Sequence, residues 1–294
     1  MVLTNTLLGA TFTILLSFGS SNTGKDSYES RVEKGSALMT QVFHQFHINY
    51  EMSRTHKLGY YQEAMEDSEG IHYLAESIVD IFVPHNLSQD DHASVKPIRS
   101  RKKVFEQINS ENLLFGNASD MARCSIWRPN SFLSRKNRDN YDYIYAGDKV
   151  FKGQDVAIID FKPASPKGKV RGTMLIEKES NAIVHIDYTP DVRASKLWNK
   201  VTWTEEFYFV EGKYELSKVQ FEGLCSKNKY GYSATLVMQH LRVLSKFPDD
   251  HAYIDNDVSI FQHAKSNFSD DFWSGYQNLK EDVDAEHVLK VASK

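Results

Sequence analysis

The sequence predicts a mainly β (α+β) fold, a bent antiparallel sheet of nine or ten strands with an N-terminal helix packed on it. The clearest observation is the stretch 171–244, where runs of alternating apolar and polar residues are separated by turn signals. Two such turns are Glu179-Ser180-Asn181 and Glu211-Gly212-Lys213. Alternation with a period of two over long runs is typical of strands that bury one face. The 15 Tyr and 17 Phe residues also suit strands better than helices.

The first predicted element is a helix over Tyr28–Asn49. Its apolar residues recur at spacings of three and four, which indicates one apolar stripe facing the sheet. The members of that stripe are Ala37, Leu38, Val42, Phe43 and Phe46.

Hairpins follow the helix. The first turns at Asp67-Ser68-Glu69-Gly70, and Pro84 ends its second strand. Short helices are expected within residues 109–138. The predicted strands of this part are Leu58–Glu66, Ile71–Val83, a weakly pairing run in Val95–Ile108, Tyr141–Val150 and Gln154–Phe161.

Longer strands after residue 170 complete the predicted sheet. In one of them the apolar parity slips, from Tyr214 and Leu216 to Val219 and Phe221, and such a slip is typical of a β-bulge. The predicted strands here are Arg171–Glu179, Ala182–Tyr188, a run through Val201–Phe209, Tyr214–Leu224 and Tyr232–Leu244.

The predicted domain organisation has three parts: a candidate signal peptide at 1–21, a sheet domain with its helix at 26–246, and an irregular or helical C-terminal tail at 247–294. Val2–Phe18 is apolar and uncharged, and small residues suited to signal-peptidase cleavage follow. The usual basic n-region is missing, because no Lys or Arg precedes Lys25. A buried N-terminal strand or helix is the alternative.

Charge limits the classes of partner. The net charge of −4 argues against nucleic acid or an anionic membrane as the main partner. The run Arg99-Ser100-Arg101-Lys102-Lys103 is a local exception. It is interpreted as a solvated turn or strand end, with a phosphate site as the alternative.

No catalytic motif or cofactor signature occurs, so the sequence predicts no enzyme, no cofactor and no metal site. His44 and His47 lie three apart on the helix, but a zinc site needs at least one more ligand. Cys124 and Cys225 are either a disulfide or two separate thiols. Glu205 shares the strand parity of its apolar neighbours, which would put a carboxylate on an apolar face.

Several segments resemble a large group of Bacteroidota cell-envelope proteins, the carboxypeptidase-regulatory-like-domain-containing proteins. The resemblance covers roughly residues 42–276, and the label implies no peptidase activity. We expect the N-terminal regulatory sandwich that names the group to be missing here, since the candidate signal peptide and the helix leave no room for it between them. The matching segments are Leu58-Gly59-Tyr60-Tyr61-Gln62-Glu63, Leu74–Phe82, Ile158–Pro163 with Gly172–Ile176, and Phe272-Trp273-Ser274-Gly275-Tyr276.

The resemblance implies a half-barrel similar to that of periplasmic lipoprotein carriers. A bent sheet with an apolar concave face can hold acyl chains or other apolar ligands, although the same residues could be ordinary core under the helix. The candidate lining residues are Val184, Ile186, Tyr188, Trp203, Phe207, Phe209, Leu236 and Met238.

The expected function is that of a non-enzymatic, exported protein of the periplasm or outer-membrane periphery. Its expected partner is a lipid, a lipoprotein or another apolar molecule. The alternative is a structural or interaction module with a filled core and an envelope protein as partner. No nucleic acid is expected, and no membrane span after signal removal.

Overall fold

The computed structural model describes residues 27–85, 93–105, 113–123, 125–126, 128–225, 230–246, 259–265 and 271–281. The candidate signal peptide and Cys124 lie outside these residues. Within the described part, no helix is both long and apolar enough to cross a membrane.

Ten strands of the described chain form one open antiparallel sheet, in the order β3-β2-β1-β10-β9-β8-β7-β6-β5-β4. Strands that follow one another in sequence are neighbours in the sheet, with one exception: β3 and β4 form its two opposite edges. The remaining neighbours, β1 and β10, pair in the interior of the sheet. The strands are β1 (Arg54–Glu66), β2 (Ile71–Val83), β3 (Ser94–Val104), β4 (Tyr141–Phe151), β5 (Gln154–Pro163), β6 (Val170–Glu177), β7 (Ile183–Pro190), β8 (Trp198–Val210), β9 (Lys213–Cys225) and β10 (Gly231–Leu244).

The sheet curls, as predicted. The Gln154 amide on β5 donates to the Tyr214 hydroxyl on β9 at 3.3 Å. Four flat strand spacings would separate these backbones by about 19 Å, which is more than the two side chains can span. The strands between them must therefore bend toward one another.

Register divides the sheet into two chemically different faces. One row of paired residues crosses the concave face and is mostly aromatic or small: Tyr143, Phe161, Gly172, Tyr188, Trp203, Phe221, Ala234, Glu63, Ala75 and Lys102. The adjacent row on the convex face is mostly polar: Ile144, Asp160, Thr173, Asp187, Thr204, Gln220, Thr235, Gln62, Glu76 and Arg101. If one strand moved by one residue against its neighbour, its apolar side chains would face water and its polar ones the core. The difference between the two faces therefore fixes the register of the strands.

Alternation with a period of two predicts that Val184, Ile186, Trp203, Phe207 and Leu236 share one face of the sheet, and this is confirmed for four of the five. Ile186 pairs with Glu205, Glu205 with Val219, and Val219 with Leu236, so these side chains share the concave side. Trp203 and Phe207 lie two residues before and two residues after Glu205, so all three side chains extend to the same side of β8. The fifth member, Val184, lies at a β-bulge where the alternation is interrupted.

Helix α1 (Tyr28–Asn49) has the predicted bounds. Ser27 caps it by accepting a hydrogen bond from the Ser30 amide at 3.2 Å. The buried stripe differs from the predicted one, since Ala37 is exposed and Leu38 is only partly buried. Its members follow the spacing of three and four: Gly35, Met39, Val42, Phe46 and Asn49.

Close contacts fix α1 across the concave face. A Cβ on Gly35 would lie 2.3 Å from the Tyr143 carbonyl oxygen on β4, so this approach requires glycine. At the other end of the helix, Asn49 donates to the Ser180 carbonyl and the Tyr50 hydroxyl donates to the Ile183 carbonyl, both at 2.8 Å.

The chain between β3 and β4 must cross the sheet, because those strands are its two edges. We call residues 113–140 the crossing segment. It contains helix α2 (Ala118–Met121) and a 3-10 turn, Arg138–Asn140, which agrees with the predicted short helices.

The predicted bulge is confirmed in β9. Glu206 pairs with Lys218 and Phe207 with Leu216, so Ser217 is the extra residue. Because Ser217 is inserted into the strand, the apolar residues change from even to odd positions in the sequence after it.

The basic run lies in edge strand β3, and part of it holds the C-terminal segments. Lys102 donates through Nζ to the Phe261 carbonyl at 2.8 Å, beside helix α3 (Ile260–His263). Arg99 donates to the Phe272 carbonyl at 3.1 Å, and the Arg101 guanidinium lies 4.1 Å from the Phe272 ring centroid. The described tail therefore packs on the domain, and it covers an edge that could otherwise pair with another chain.

The Phe272-Trp273 motif packs on the convex side of the sheet. Phe272 forms a buried cluster with Tyr60 and Ile78, and Trp273 packs against that cluster. The motif thus shields an apolar patch on the outer face of β1 and β2 from water.

Candidate functional site on the concave face

Much of the predicted cavity lining is core. Ile186, Leu236, Val184 and Met238 are at most 3% exposed. Phe207 is also buried, and its ring centroid lies 5.6 Å from that of Tyr50 at the end of α1. Helix α1 and the sheet therefore fill this part of the concave face.

Phe209 lies outside any enclosed space. Its ring is 60% exposed at the rim of the sheet and contacts Tyr214 at a centroid distance of 5.2 Å. The expectation that it lines a cavity is wrong because the strand runs past the end of α1 at this point, where nothing in the described chain covers the ring.

The two remaining candidates, Tyr188 and Trp203, are only partly buried. Their rings stack at 6.3 Å with an interplanar angle of 8°. The centroid of the Trp203 ring lies 4.8 Å from that of Phe221. The centroid of the Tyr188 ring lies 5.3 Å from that of Phe132 in the crossing segment. The rings form a continuous row over several strands, which we call the aromatic belt: Phe161, Phe132, Tyr188, Trp203, Phe221, Trp198 and Tyr232.

Glu205 lies beside the belt and is 2% exposed. Its carboxylate accepts from the Ser125 amide at 3.0 and 2.9 Å and from the Ser125 hydroxyl at 2.6 Å. The Tyr188 hydroxyl also donates to it, at 3.2 Å. Burial raises the pKa of Glu205, while these hydrogen bonds and the positive charge of Arg128 act in the opposite direction.

Glu63 is a second buried carboxylate on this face, with 0% exposure. It accepts from the Gly116 amide of the crossing segment at 2.9 Å and from the Phe261 amide of α3 at 2.9 Å. The hydroxyls of Tyr232 and Tyr61 donate at 2.7 and 3.2 Å. Burial raises the pKa of Glu63, against the effect of these four donors.

The two carboxylates attach the covering segments to the sheet. Each one accepts backbone amide donors from chain that is distant in sequence, and such charge-assisted bonds are stronger than neutral ones. The parity of Glu205 was visible in the sequence, but its partner was not. Glu63 gave no signal beyond its place in a family-like segment.

The contact between Ser125 and Glu205 has the composition of a nucleophile and base, but its geometry is structural. The Ser125 amide and hydroxyl bind the same carboxylate, so this contact ties the crossing segment to β8. In the described part of the chain, no group of three His, Cys, Asp or Glu side chains could hold a metal ion.

A third polar centre lies near the C-terminal end of α1. Lys57 and Glu215 form a buried ion pair at 2.7 Å, and His240 approaches Glu215 at 2.8 Å. The Lys57 ammonium also donates to the Leu216 carbonyl at 2.9 Å. Lys57 and Glu215 border a cavity of about 40 Å³ that also touches Phe207, so the space there suits water rather than a chain-like ligand.

A larger cleft opens between the crossing segment and the end of the belt. Its volume is about 390 Å³, and we call it the aromatic cleft. Phe132, Tyr188 and Val170 form its apolar wall. Arg128 borders it, with its Nε donating to the Arg123 carbonyl at 3.2 Å.

Cys225 is buried and forms no disulfide with another described residue. Because Cys124 lies outside the described residues, a pairing of these two cysteines stays a prediction. His44 and His47 are both exposed on α1.

Comparison with known proteins gives structural similarity at low identity. No family model and no curated protein matches the chain. A DUF1329 family protein from Desulfovibrio piger is 14% identical, with a TM-score of 0.36 over 74% of this chain and 95% of that one. A LolA superfamily protein from Nitrosomonas europaea is 12% identical, with a TM-score of 0.29 over 76% and 99%. The Mycobacterium tuberculosis lipoprotein LppX is 11% identical, with a TM-score of 0.27 over 69% and 94%. At TM-scores below 0.5, none of these similarities assigns a ligand to this chain.

Proposed function

We propose that this chain is a non-enzymatic binding protein that holds an apolar chain in the aromatic cleft, against the aromatic belt. The observation that carries this proposal is the partial exposure of the Tyr188 ring, which lines the aromatic cleft together with Phe132 and Val170. Large rings left open to a concave space are suited to an apolar ligand.

The dimensions of the cleft support this function. A volume of about 390 Å³ lies within the range of about 300–1,000 Å³ that small-molecule sites occupy. The wall is also fixed in advance, because Glu205 binds the Ser125 backbone and the Tyr188 hydroxyl together. A wall that is already ordered lowers the entropic cost of binding.

The proposed setting is the cell envelope. It rests on the apolar segment Val2–Phe18 and on the resemblance to Bacteroidota envelope proteins. N-terminal sequencing of the protein from its native host should find a chain that begins between about residues 20 and 25. A chain that still begins at Met1 would exclude export by signal cleavage.

The second candidate function is that of an interaction module without a small ligand. It is favoured by the five predicted lining residues that pack as core, among them Ile186 and Leu236. The two functions differ in one respect that can be measured, since only the first requires the aromatic cleft to accept a chain-like ligand.

A substitution that fills the cleft separates the two functions. Val170→Trp should fill the space beside Tyr188 and abolish binding of a fluorescent fatty-acyl probe. Val150→Trp is the matched control, because Val150 is 67% exposed at the opposite end of the sheet. If the unmodified protein binds no probe, or if Val170→Trp binds as well as the control, the chain-binding function is wrong.

A further inference from the structure

Strands β7 and β8 separate at one end of the sheet. They pair only between residues 185–188 and 203–206, although β7 continues to Pro190 and β8 begins at Trp198. A cleft of about 730 Å³ lies at this end, and we call it the basic cleft. Its charged lining residues are Lys169, Arg171, Arg193, Lys200 and Asp191.

The charge in the basic cleft is strongly positive. Asp191 is the sole carboxylate among its described lining residues, and Arg193 already binds both oxygens of that carboxylate, at 2.9 and 2.7 Å. Lys169, Arg171 and Lys200 form no ion pair with another described residue. Lys169 also acts electrostatically on Asp191, so among the described residues one carboxylate faces four cations, in a chain whose net charge is −4.

The walls of the basic cleft are tied to the rest of the fold. The Asp191 amide donates to the Lys169 carbonyl at 2.6 Å. The Lys169 amide donates in turn to the Tyr141 hydroxyl at 3.1 Å. These bonds fix the backbone of the basic cleft at Lys169 and Asp191.

The basic cleft adjoins the aromatic cleft, because Val170 lines both. Arg171 extends to the opposite side of β6, since successive strand side chains alternate, and Lys169 comes directly before the strand begins. A ligand that passes Val170 would thus leave an aromatic wall and meet a cluster of cations.

We infer that the ligand is an anionic single-chain amphiphile, with its chain in the aromatic cleft and its phosphate or carboxylate headgroup in the basic cleft. This inference rests on the proposed function. Guanidinium groups bind phosphate and carboxylate oxygens through paired hydrogen bonds, and lysine adds a point charge. Both headgroups share this chemistry, and the cluster would repel a cationic one.

The test compares ligands that carry the same chain. Dodecyl phosphate, dodecyl maltoside and dodecyltrimethylammonium, each below its micelle concentration, are titrated into the full chain by calorimetry at low salt. Inorganic phosphate and propyl phosphate test the headgroup alone. We expect dodecyl phosphate to bind at least about tenfold more tightly than dodecyl maltoside, and this preference should weaken as salt is added.

The double variant Arg171→Glu with Lys200→Glu should remove the preference for the anion and leave the binding of dodecyl maltoside within about twofold. Both residues are exposed, so the fold should persist. Lys149→Glu is the matched control, because Lys149 is exposed near the β4–β5 turn at the other end of the sheet. It should keep the preference for the anion.

Four results would overturn the inference. Equal binding of the phosphate and the maltoside would refute the headgroup site alone and leave the proposed function standing. Failure of every dodecyl ligand to bind would refute both. Inorganic or propyl phosphate bound as tightly as dodecyl phosphate would indicate a site for free anions. If Lys149→Glu lost the preference for the anion to the same extent as the double variant, the preference would come from the overall charge of the protein and not from the basic cleft.

Discussion

Glu205 in the middle of the sheet binds the backbone amide of Ser125, which lies 80 residues earlier in the chain. The bond brings the crossing segment down onto an apolar face and sets one wall of the aromatic cleft. A buried carboxylate here has a structural reason, since it satisfies donors that would otherwise lack a partner away from water.

Removing this carboxylate should destabilise the fold. Glu205→Ala leaves the Ser125 amide and the Tyr188 hydroxyl without their acceptor, so we expect a loss of about 3 kcal/mol in the free energy of unfolding. Glu205→Gln keeps one acceptor oxygen and should cost roughly half as much. Urea unfolding followed by circular dichroism measures both, and an unchanged midpoint in Glu205→Ala would contradict the assigned role.

Glu63 should hold two segments at once. In Glu63→Ala the amides of Gly116 and Phe261 lose their common acceptor, so both covering segments should become accessible together. Hydrogen exchange should show faster exchange at residues 113–117 and 260–263 than in the unmodified protein. Glu66→Ala is the control, since Glu66 is exposed at the end of the same strand and should change neither segment.

Two phenylalanines of β8 should respond differently to the same change. Phe207→Arg places a charge in the core beside Tyr50 and should cost several kcal/mol, enough to unfold the domain. Phe209→Arg should change the free energy of unfolding by less than about 0.5 kcal/mol, because its ring is 60% exposed. Circular dichroism with thermal melting checks the pair, and similar melting temperatures would be inconsistent with this placement.

A histidine on the convex face should make stability depend on pH. Burial lowers the pKa of His185, but the hydrogen bond to Asp187 and the nearby carboxylate of Glu206 outweigh burial and raise that pKa to about 9. The distance from His185 Nε2 to Asp187 Oδ2 is 2.8 Å, and from Nδ1 to Glu206 Oε1 3.7 Å. Since the folded pKa exceeds the ordinary value of 6.5, this stabilisation is complete below pH 6.5.

That contribution should be lost as the pH rises from about 6.5 to 9. Its size should be about 2 kcal/mol, with allowance for solvent screening at the half-exposed Asp187. Urea unfolding at several pH values, compared between the unmodified protein and His185→Gln, isolates the effect. Parallel pH profiles of the two proteins would show that His185 contributes nothing in this range.

The sheet could be predicted from the sequence because its signals are local. Alternation gave the strands to within a few residues, and the slip between Leu216 and Val219 located the bulge at Ser217. The pairing of β1 with β10 has no such local signal, because it joins residues far apart in the chain.

The site was less predictable because alternation reports the face of a residue and not what covers it. Ile186 and Trp203 share a face, yet one is core and the other is partly open. The difference depends on where α1 and the crossing segment lie, and those positions are set by distant contacts such as Glu205 with Ser125. The basic cleft was missed because its cations are far apart in sequence and meet only where β7 and β8 separate.

The central claim is that an apolar chain lies against the aromatic belt, and a crystal structure with a terminally brominated dodecyl phosphate tests it most directly. Anomalous scattering would locate the bromine independently of the rest of the ligand. We expect bromine in contact with the ring of Tyr188 or Phe132, and a phosphate near Arg171. Bromine bound elsewhere, or its absence from the aromatic cleft in crystals soaked to saturation, would contradict the claim.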